Sequence, residues 1–304
     1  MPGRTINNRN CRFFYWNVGC QPAKKNMKKH LTPILFALLF LSSCGKPADD
    51  LKVISFNIRY NSWYDRESPN RWELRRDAVV RMIREEQPAA LGLQEALIDQ
   101  LQYLDSCLPQ YRRVGVGRDD GMEAGEFMAI YYDTARLELT GSDTWWLSDS
   151  AEVPSYGWDA ACRRTVTRAA FRDRRSGRCF DYFNTHLDHV GQTARAESAR
   201  MVAALVDGHC FDKPAIVGGD MNTTIDDTIF RSLYAVGLQD ARTLTDSTSH
   251  AITYNAFGQN DGAVIDHFFV RDIKVLRFRT LNGDYGVPYI SDHYPIEILF
   301  HLPE

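Results

Sequence analysis

Six times in this 304-residue chain an apolar run stops at a residue of metal-ligating or acid–base type. Ile54-Ser55-Phe56 stops at Asn57, and Leu91-Gly92-Leu93-Gln94 stops at Glu95. Phe183-Asn184-Thr185 stops at His186, and Ile216-Val217-Gly218-Gly219 stops at Asp220-Met221-Asn222. Val264-Ile265 runs into Asp266-His267, and Tyr289-Ile290-Ser291 into Asp292-His293. Each event alone is ordinary. A Glu at a strand end is usually solvated, and a buried His is usually a hydrogen-bonded core residue. Six such events imply convergence, because a buried strand gains nothing from carboxylates and amides at its end unless they meet partners there.

Elements must bring those ends together. Strands are predicted over 51–58, 89–93, 127–132, 136–147, 165–172, 178–185, 214–217, 263–270, 273–278 and 294–302. Short β-branched and aromatic runs bounded by turn residues carry these assignments. Ser68-Pro69 reads as an N-cap with proline at the first helical position. Trp72, Val79, Met82 and Ile83 then share a helical face, and Pro88 closes that helix. Further helices are predicted over 97–104 and 193–206, with a short one capped by Asp226 or Asp227. Several strand pairs are joined by short turns while others enclose helices, which predicts packed sheets with helices outside.

The chain is 44% apolar and 25% charged, which excludes a disordered chain, a fibre or a multi-span membrane protein. Its net charge of −3 hides an asymmetry: residues 1–44 hold seven of the 36 Lys/Arg and no acid. The remaining 29 bases against 39 acids leave residues 45–304 at −10, which disfavours non-specific grip on a phosphate backbone. Lys28-Lys29-His30, the mostly apolar stretch from Leu31 to Leu41, and Leu41-Ser42-Ser43-Cys44 describe a secretory signal. Cys44 sits as the acylated cysteine of a bacterial lipobox does. We therefore read 1–44 as an upstream extension plus lipoprotein signal, 45–50 as a tether and 51–304 as one domain. The reading places the protein outside the cytoplasm, anchored by lipid to a membrane. Cys107, Cys162, Cys179 and Cys210 lack zinc-site spacing; two disulfides are permitted in an exported protein, with no pairing fixed.

The ordered series SFN, LQE, THLDH, GGDMN, IDHFFV and SDH resembles the endonuclease/exonuclease/phosphatase superfamily, the metal-dependent phosphoesterases related to deoxyribonuclease I. The resemblance spans Leu51 to Leu302 and implies a four-layer α/β sandwich: two packed mixed sheets, helices outside, the active site at one rim. It implies roles residue by residue. Glu95 matches the main magnesium ligand, Asn57 a nearby ligand or phosphate-orienting amide, and Asp292 a further acid of the metal region. Asp220 matches the carboxylate that orients or deprotonates water, and Asn222 the amide that donates to phosphate oxygens. His293 matches the histidine at the scissile phosphate, with Asp266 holding it. His186 matches a second histidine near the leaving group, braced by an acid placed here at Glu126. Carboxylates and amides suit Mg2+, with Mn2+ as the other oxygen-preferring candidate. Metal and fixed donors would offset the negative charge added during phosphoester hydrolysis.

Tyr156-Gly157-Trp158-Asp159-Ala160-Ala161-Cys162-Arg163-Arg164 follows Trp145-Trp146. This clustering reads as a substrate wall, with rings such as Trp158 stacking on a flat group and Arg164 or Arg163 on phosphate; aromatics packed between sheets are the other explanation. The function expected is hydrolysis of a phosphodiester or phosphomonoester on a small, lipid-linked or sugar-linked substrate. A magnesium-dependent nuclease acting on nucleic acid is the second reading, and a catalytically silent binding protein on the same fold is the third.

Overall fold

A computed structural model describes residues 50–304; the segment read as a signal, with Cys44, lies outside the described residues. In chain order the elements are β1 (Leu51–Asn57), α1 (Trp72–Glu86), β2 (Ala90–Ala96), α2 (Ile98–Cys107), β3 (Tyr111–Val114) and β4 (Phe127–Asp133). There follow β5 (Leu137–Trp146), β6 (Thr165–Asp173), β7 (Cys179–His186), α3 (Gln192–His209), β8 (Ala215–Asp220) and α4 (Arg231–Ala235). β9 (Gln239–Asp240), β10 (Asp266–Arg271), β11 (Lys274–Thr280) and β12 (Ile296–His301) complete the chain. One six-stranded sheet runs β11-β12-β1-β2-β4-β3 and the other β5-β6-β7-β8-β10-β9. Each is antiparallel except for one parallel pair, β1 with β2 and β7 with β8.

The two-residue alternation of strands sorts side chains into three apolar layers. Leu51 and Val53 of β1 join Phe180 and Tyr182 of β7, Ile216 of β8 and Phe268 of β10 in the core between the sheets. Ile54 and Phe56 point the other way, onto Val79, Met82 and Ile83 of α1 and Leu101 and Leu104 of α2. Phe183, Val217 and Phe269 pack on Val202 and Val206 of α3 and Leu233 of α4. The result is the expected four-layer sandwich of two mixed sheets flanked by helices.

Near the site the space between the sheets turns polar. Gln94 Nε2 donates to Ser55 Oγ (3.0 Å) and to Asn184 Oδ1 (2.6 Å). Asn184 Nδ2 in turn donates to the Leu93 and Ala129 carbonyls of the facing sheet, at 2.9 Å each. Gly92 permits this approach, since a Cβ there would collide with Tyr182 Oη and the Asn184 side chain.

The structure corrects some expectations. Helix α1 starts at Trp72, and its N-cap Arg71 makes no side-chain cap bond; Ser68 Oγ accepts only from Asn70 N, in a turn before the helix. The strands β3 and β9 have no counterpart in the sequence reading. Asp227, one of the two expected caps, accepts from Ile229 N and starts the short helical turn before α4. Cys107, Cys162, Cys179 and Cys210 are free thiols. No described helix is long and apolar enough to cross a membrane.

Candidate active site

The alternation that builds the core also aims the site. Asn57, His186, Asp220 and Asp266 occupy the same parity as the residues between the sheets, at the ends of β1, β7, β8 and β10. β1, β2, β7 and β8 finish at one rim, and antiparallel β10 begins there with Asp266 opposite Asp220. Glu95 has the wrong parity and would face α1. Instead β2 is bulged between Leu93 and Ala96, and Glu95 takes the left-handed region (φ 64°). Bulges at sheet rims re-aim side chains in this way, and the strain at a non-glycine residue there marks a site that needs the orientation. Asn222 (φ 50°) and Arg59 (φ 57°) share that conformation.

Asp220 is the hub. One carboxylate oxygen accepts from Asn222 N (2.9 Å). The other accepts from Asn57 Nδ2 (3.0 Å) and lies 3.4 Å from His186 Nε2 and 3.7 Å from His293 Nε2. His293 Nδ1 faces Asp266 Oδ2 at 2.8 Å, with the Tyr254 ring 5.0 Å away. Burial disfavours charge on His293, but Asp266 and Asp220 outweigh it and raise the imidazole to about 10. Burial, with Arg164 and Arg118 nearby, instead holds His186 well below its usual value. The two histidines on one carboxylate therefore differ in charge: His293 is cationic and His186 neutral. Burial pushes Asp220 up to about 7, with His293 opposing and Asp266 adding to the rise. That value suits a group exchanging protons near neutrality.

The oxygen donors gather beside this hub. Asn57 Nδ2 also donates to Glu95 Oε1 (3.0 Å), and Glu95 Oε2 accepts from Tyr60 N (3.2 Å). Asp292 Oδ1 accepts from Ser291 Oγ (3.1 Å), and its Oδ2 is 3.7 Å from Arg59 Nη1. Burial raises the Asp292 carboxyl, and the charge of Glu95 raises it further. Two carboxylates that disfavour each other in a cleft fit a hard divalent cation between oxygen donors. Asp220, Asp266 and His293 also offer ligand atoms within 4.8 Å of one another, but there the His293–Asp266 bond already satisfies the pair.

The cleft encloses about 670 Å3 and is lined by Glu95, Asp220, Asn222, His186, Asp292 and His293 from the expected set. Asn57 and Asp266 lie just behind them, fully buried. Arg164 also lines it, with Nε on Asp188 Oδ2 (3.2 Å) and Nη2 on His189 Nδ1 (2.9 Å). Asp188 additionally accepts from the backbone N–H groups of Ala161, Cys162, Val190 and Gly191.

Three expectations change. Glu126 lines the cleft but, among the described residues, does not brace His186: both its oxygens accept from Arg118, at 2.7 Å each, and His186 Nδ1 has no partner among those residues. The cause is local, because Arg118 stands across a hairpin from Glu126. Trp158 is absent from the cleft lining and 39% exposed. Its neighbour Asp159 instead accepts from Thr193 N and Ala194 N, capping α3 from a distant loop. Trp145 packs on His209 of α3, so these aromatics are not a wall of the site. Asn222 Nδ2 is committed to His186 Nε2 and the Leu187 carbonyl, both at 3.0 Å, so it positions His186 before any phosphate arrives. The sequence reading missed Arg59, Tyr60, Arg118 and Tyr254 in the lining. Only the Gly-rich surroundings of Arg118 hinted at a turn there.

Comparison with known proteins agrees with this geometry. A family model described as the Endonuclease/Exonuclease/phosphatase family matches residues 54–293. The endonuclease/exonuclease/phosphatase from Bacteroides vulgatus is 33% identical with a TM-score of 0.79, covering 84% of this chain and 99% of that one. A mannosyl-6-phosphatase of Bacteroides thetaiotaomicron is 32% identical with a TM-score of 0.78, covering 82% and 99%. An uncharacterized protein of Acanthamoeba polyphaga mimivirus is 26% identical over 271 residues, 82% of this chain and all of its own length.

Proposed function

The chain belongs to the endonuclease/exonuclease/phosphatase family, and from that premise we propose a divalent-metal-dependent hydrolase of small phosphoesters, with a phosphorylated sugar the favoured substrate class. One observation carries the reading: a single Asp220 oxygen lies 3.4 Å from His186 Nε2 and 3.7 Å from His293 Nε2, in a cleft that Glu95 and Asp292 also line. Asp220 takes the proton of the attacking water, and its value near 7 lets it do so at neutral pH. His293, kept charged by Asp266, donates to the oxygens that gain negative charge. Asn57 ties Glu95 to Asp220 and fixes the water's position relative to the phosphorus. His186, on the other side of Asp220, stands on the leaving-group side. Glu95 and Asp292 would hold Mg2+ or Mn2+, which would polarise a phosphoryl oxygen and offset its charge.

The substrate class draws support from the 32%-identical mannosyl-6-phosphatase and from the size of the cleft. The acidic body argues against long nucleic acid. Export and lipid anchoring at Cys44 belong to the same proposal; the mass of the mature amino-terminal peptide tests them. The activity is tested with residues 45–304 on nitrophenyl phosphate, bis-nitrophenyl phosphate, sugar phosphates, nucleotides, phospholipids and plasmid, each with Mg2+, Mn2+ or chelator. Sugar phosphates should turn over best, chelator should abolish turnover, and Asp220→Ala should lower it at least about a hundredfold. Plasmid as the best substrate would replace this reading with the nuclease, and chelator-resistant turnover would remove the metal.

A further inference from the structure

Glu126 and Arg118 form a two-bonded ion pair in the cleft wall that no catalytic step above uses. A tight hairpin sets it. Gly117 N donates to Met122 O, Arg118 N to Glu126 O and Asp119 N to Ala124 O. Arg118 and Glu126 thus face each other across a short antiparallel ladder, the arrangement in which opposite charges pair. Trp146 Nε1 pins the Arg118 carbonyl at 2.7 Å. The side chains are 11% and 15% exposed, and neither bonds to another described side chain.

Fold stability does not call for this pair. A largely buried ion pair roughly breaks even against apolar residues of the same size, yet this one stands in the cleft wall, where burial and then Glu95 raise the Glu126 carboxyl while Arg118 and Arg164 oppose the rise. Its chemistry selects a partner. The fork is close to neutral overall. Each guanidinium nitrogen bound to Glu126 has a second hydrogen, and each carboxylate oxygen a second lone pair. It therefore presents fixed donors beside fixed acceptors. A second phosphate would meet the Glu126 charge, and an alkyl or aryl group would leave the fork's hydrogen bonds unmade. Adjacent hydroxyls, each able to donate and accept, fit both halves.

We infer that Arg118 and Glu126 form the subsite for the leaving group and select phosphoesters whose alcohol carries vicinal hydroxyls. The inference rests on the phosphoesterase reading and names the residues that set its specificity.

The test compares hexose 6-phosphate with hexyl phosphate, which lacks the hydroxyls, in the parent and in Glu126→Gln and Arg118→Lys. A site that bonds a hydroxyl rejects the analogue lacking it steeply, by about 10^4 to 10^5 in the strongest cases. The parent should favour the hexose ester at least about a hundredfold in kcat/KM, and both variants should cut that ratio tenfold or more, mainly through KM. An indifferent parent, an undiminished ratio, or equal losses on both esters would each overturn the inference; the last would mark a structural role. Calorimetric titration of metal-free protein with hexose 6-phosphate separates this from the activity itself. Should the parent hydrolyse no ester, the phosphoesterase reading fails. The subsite then stands only if the parent binds the hexose ester at least tenfold tighter than both variants, and falls if all three bind alike or not at all.

Discussion

His186 and His293 lie 3.4 and 3.7 Å from the same Asp220 oxygen, and only their other neighbours tell them apart. Asp266 beside His293 favours the imidazolium; the arginines around His186 oppose it. Removing the cationic partner should therefore cost more than removing the amide that steers the neutral one. His293→Ala should lower kcat about a hundredfold or more, and Asn222→Ala should lower it less while freeing His186 to reorient. A steady-state comparison of the two decides the order, and a larger loss in Asn222→Ala would reverse the assignment of roles. His186 and Asp220 were readable in the sequence because a polar residue ending a buried strand is out of place unless it meets a partner; His293 lies in the loop before β12, and its motif gave it away instead. The partner of Glu126 was not readable. It stands across a hairpin at Arg118, and sequence spacing says nothing about which charge a cross-strand neighbour will meet. Trp158 misled for a related reason. Aromatic composition suggests stacking, whereas the segment's fixed point is Asp159 on the α3 N-terminus.

Among elements, the parallel pairs β1–β2 and β7–β8 carry much of the site, and β7–β8 relies on close backbone approach at its end. Gly219 pairs with Thr185 one residue before Asp220, and a Cβ there would collide with the Thr185 carbonyl. That oxygen belongs to the β7–β8 ladder and cannot move as a side-chain tip can. Gly219→Ala should therefore destabilise the fold by about 2 kcal/mol or more, lowering Tm by roughly 5 °C and displacing Asp220 from His186. Calorimetric melting measures the first effect, and the activity remaining well below Tm the second. A variant as stable and active as the parent would mean the ladder yields. Most strands and the three longer helices were legible from apolar runs, to within a few residues. β3 and β9 were not, since Tyr-Arg-Arg-Val and Gln-Asp carry little strand pattern and owe their pairing to β4 and β10. The start of α1 moved because Ser68 satisfies a turn, not the helix. The bulge that re-aims Glu95 is invisible in Leu-Gln-Glu-Ala.

The whole molecule buries ionisable groups behind the site, which ties its stability to pH. His267 is fully buried, with Nε2 on the Thr223 carbonyl at 3.0 Å and Nδ1 without a partner. Burial, with Arg242 adding to it, lowers the imidazole from 6.5 to about 4, while the Thr223 carbonyl and Asp266 pull the other way. The unfolded chain therefore takes up this proton first. The contribution of His267 is intact above about pH 6.5, declines as pH falls, and its full loss of about 3 kcal/mol is reached below about pH 4. Asp188 adds a second, lower window. Its accepted N–H bonds and Arg164 overcome burial and hold its carboxyl below the ordinary value of 3.8, so its contribution is present above that value and fades only in stronger acid. Urea unfolding of residues 45–304 and of its His267→Asn variant, at intervals from pH 7 to pH 4, isolates the first decline as the difference between the two curves. His267→Asn keeps a donor for Thr223 and removes the titrating ring, so the parent should lose about 3 kcal/mol relative to the variant across that window. Parallel curves for the two proteins would leave His267 a neutral core residue at every pH tested, because the raised carboxyls of the cleft favour the folded state as pH falls and cannot supply such a loss.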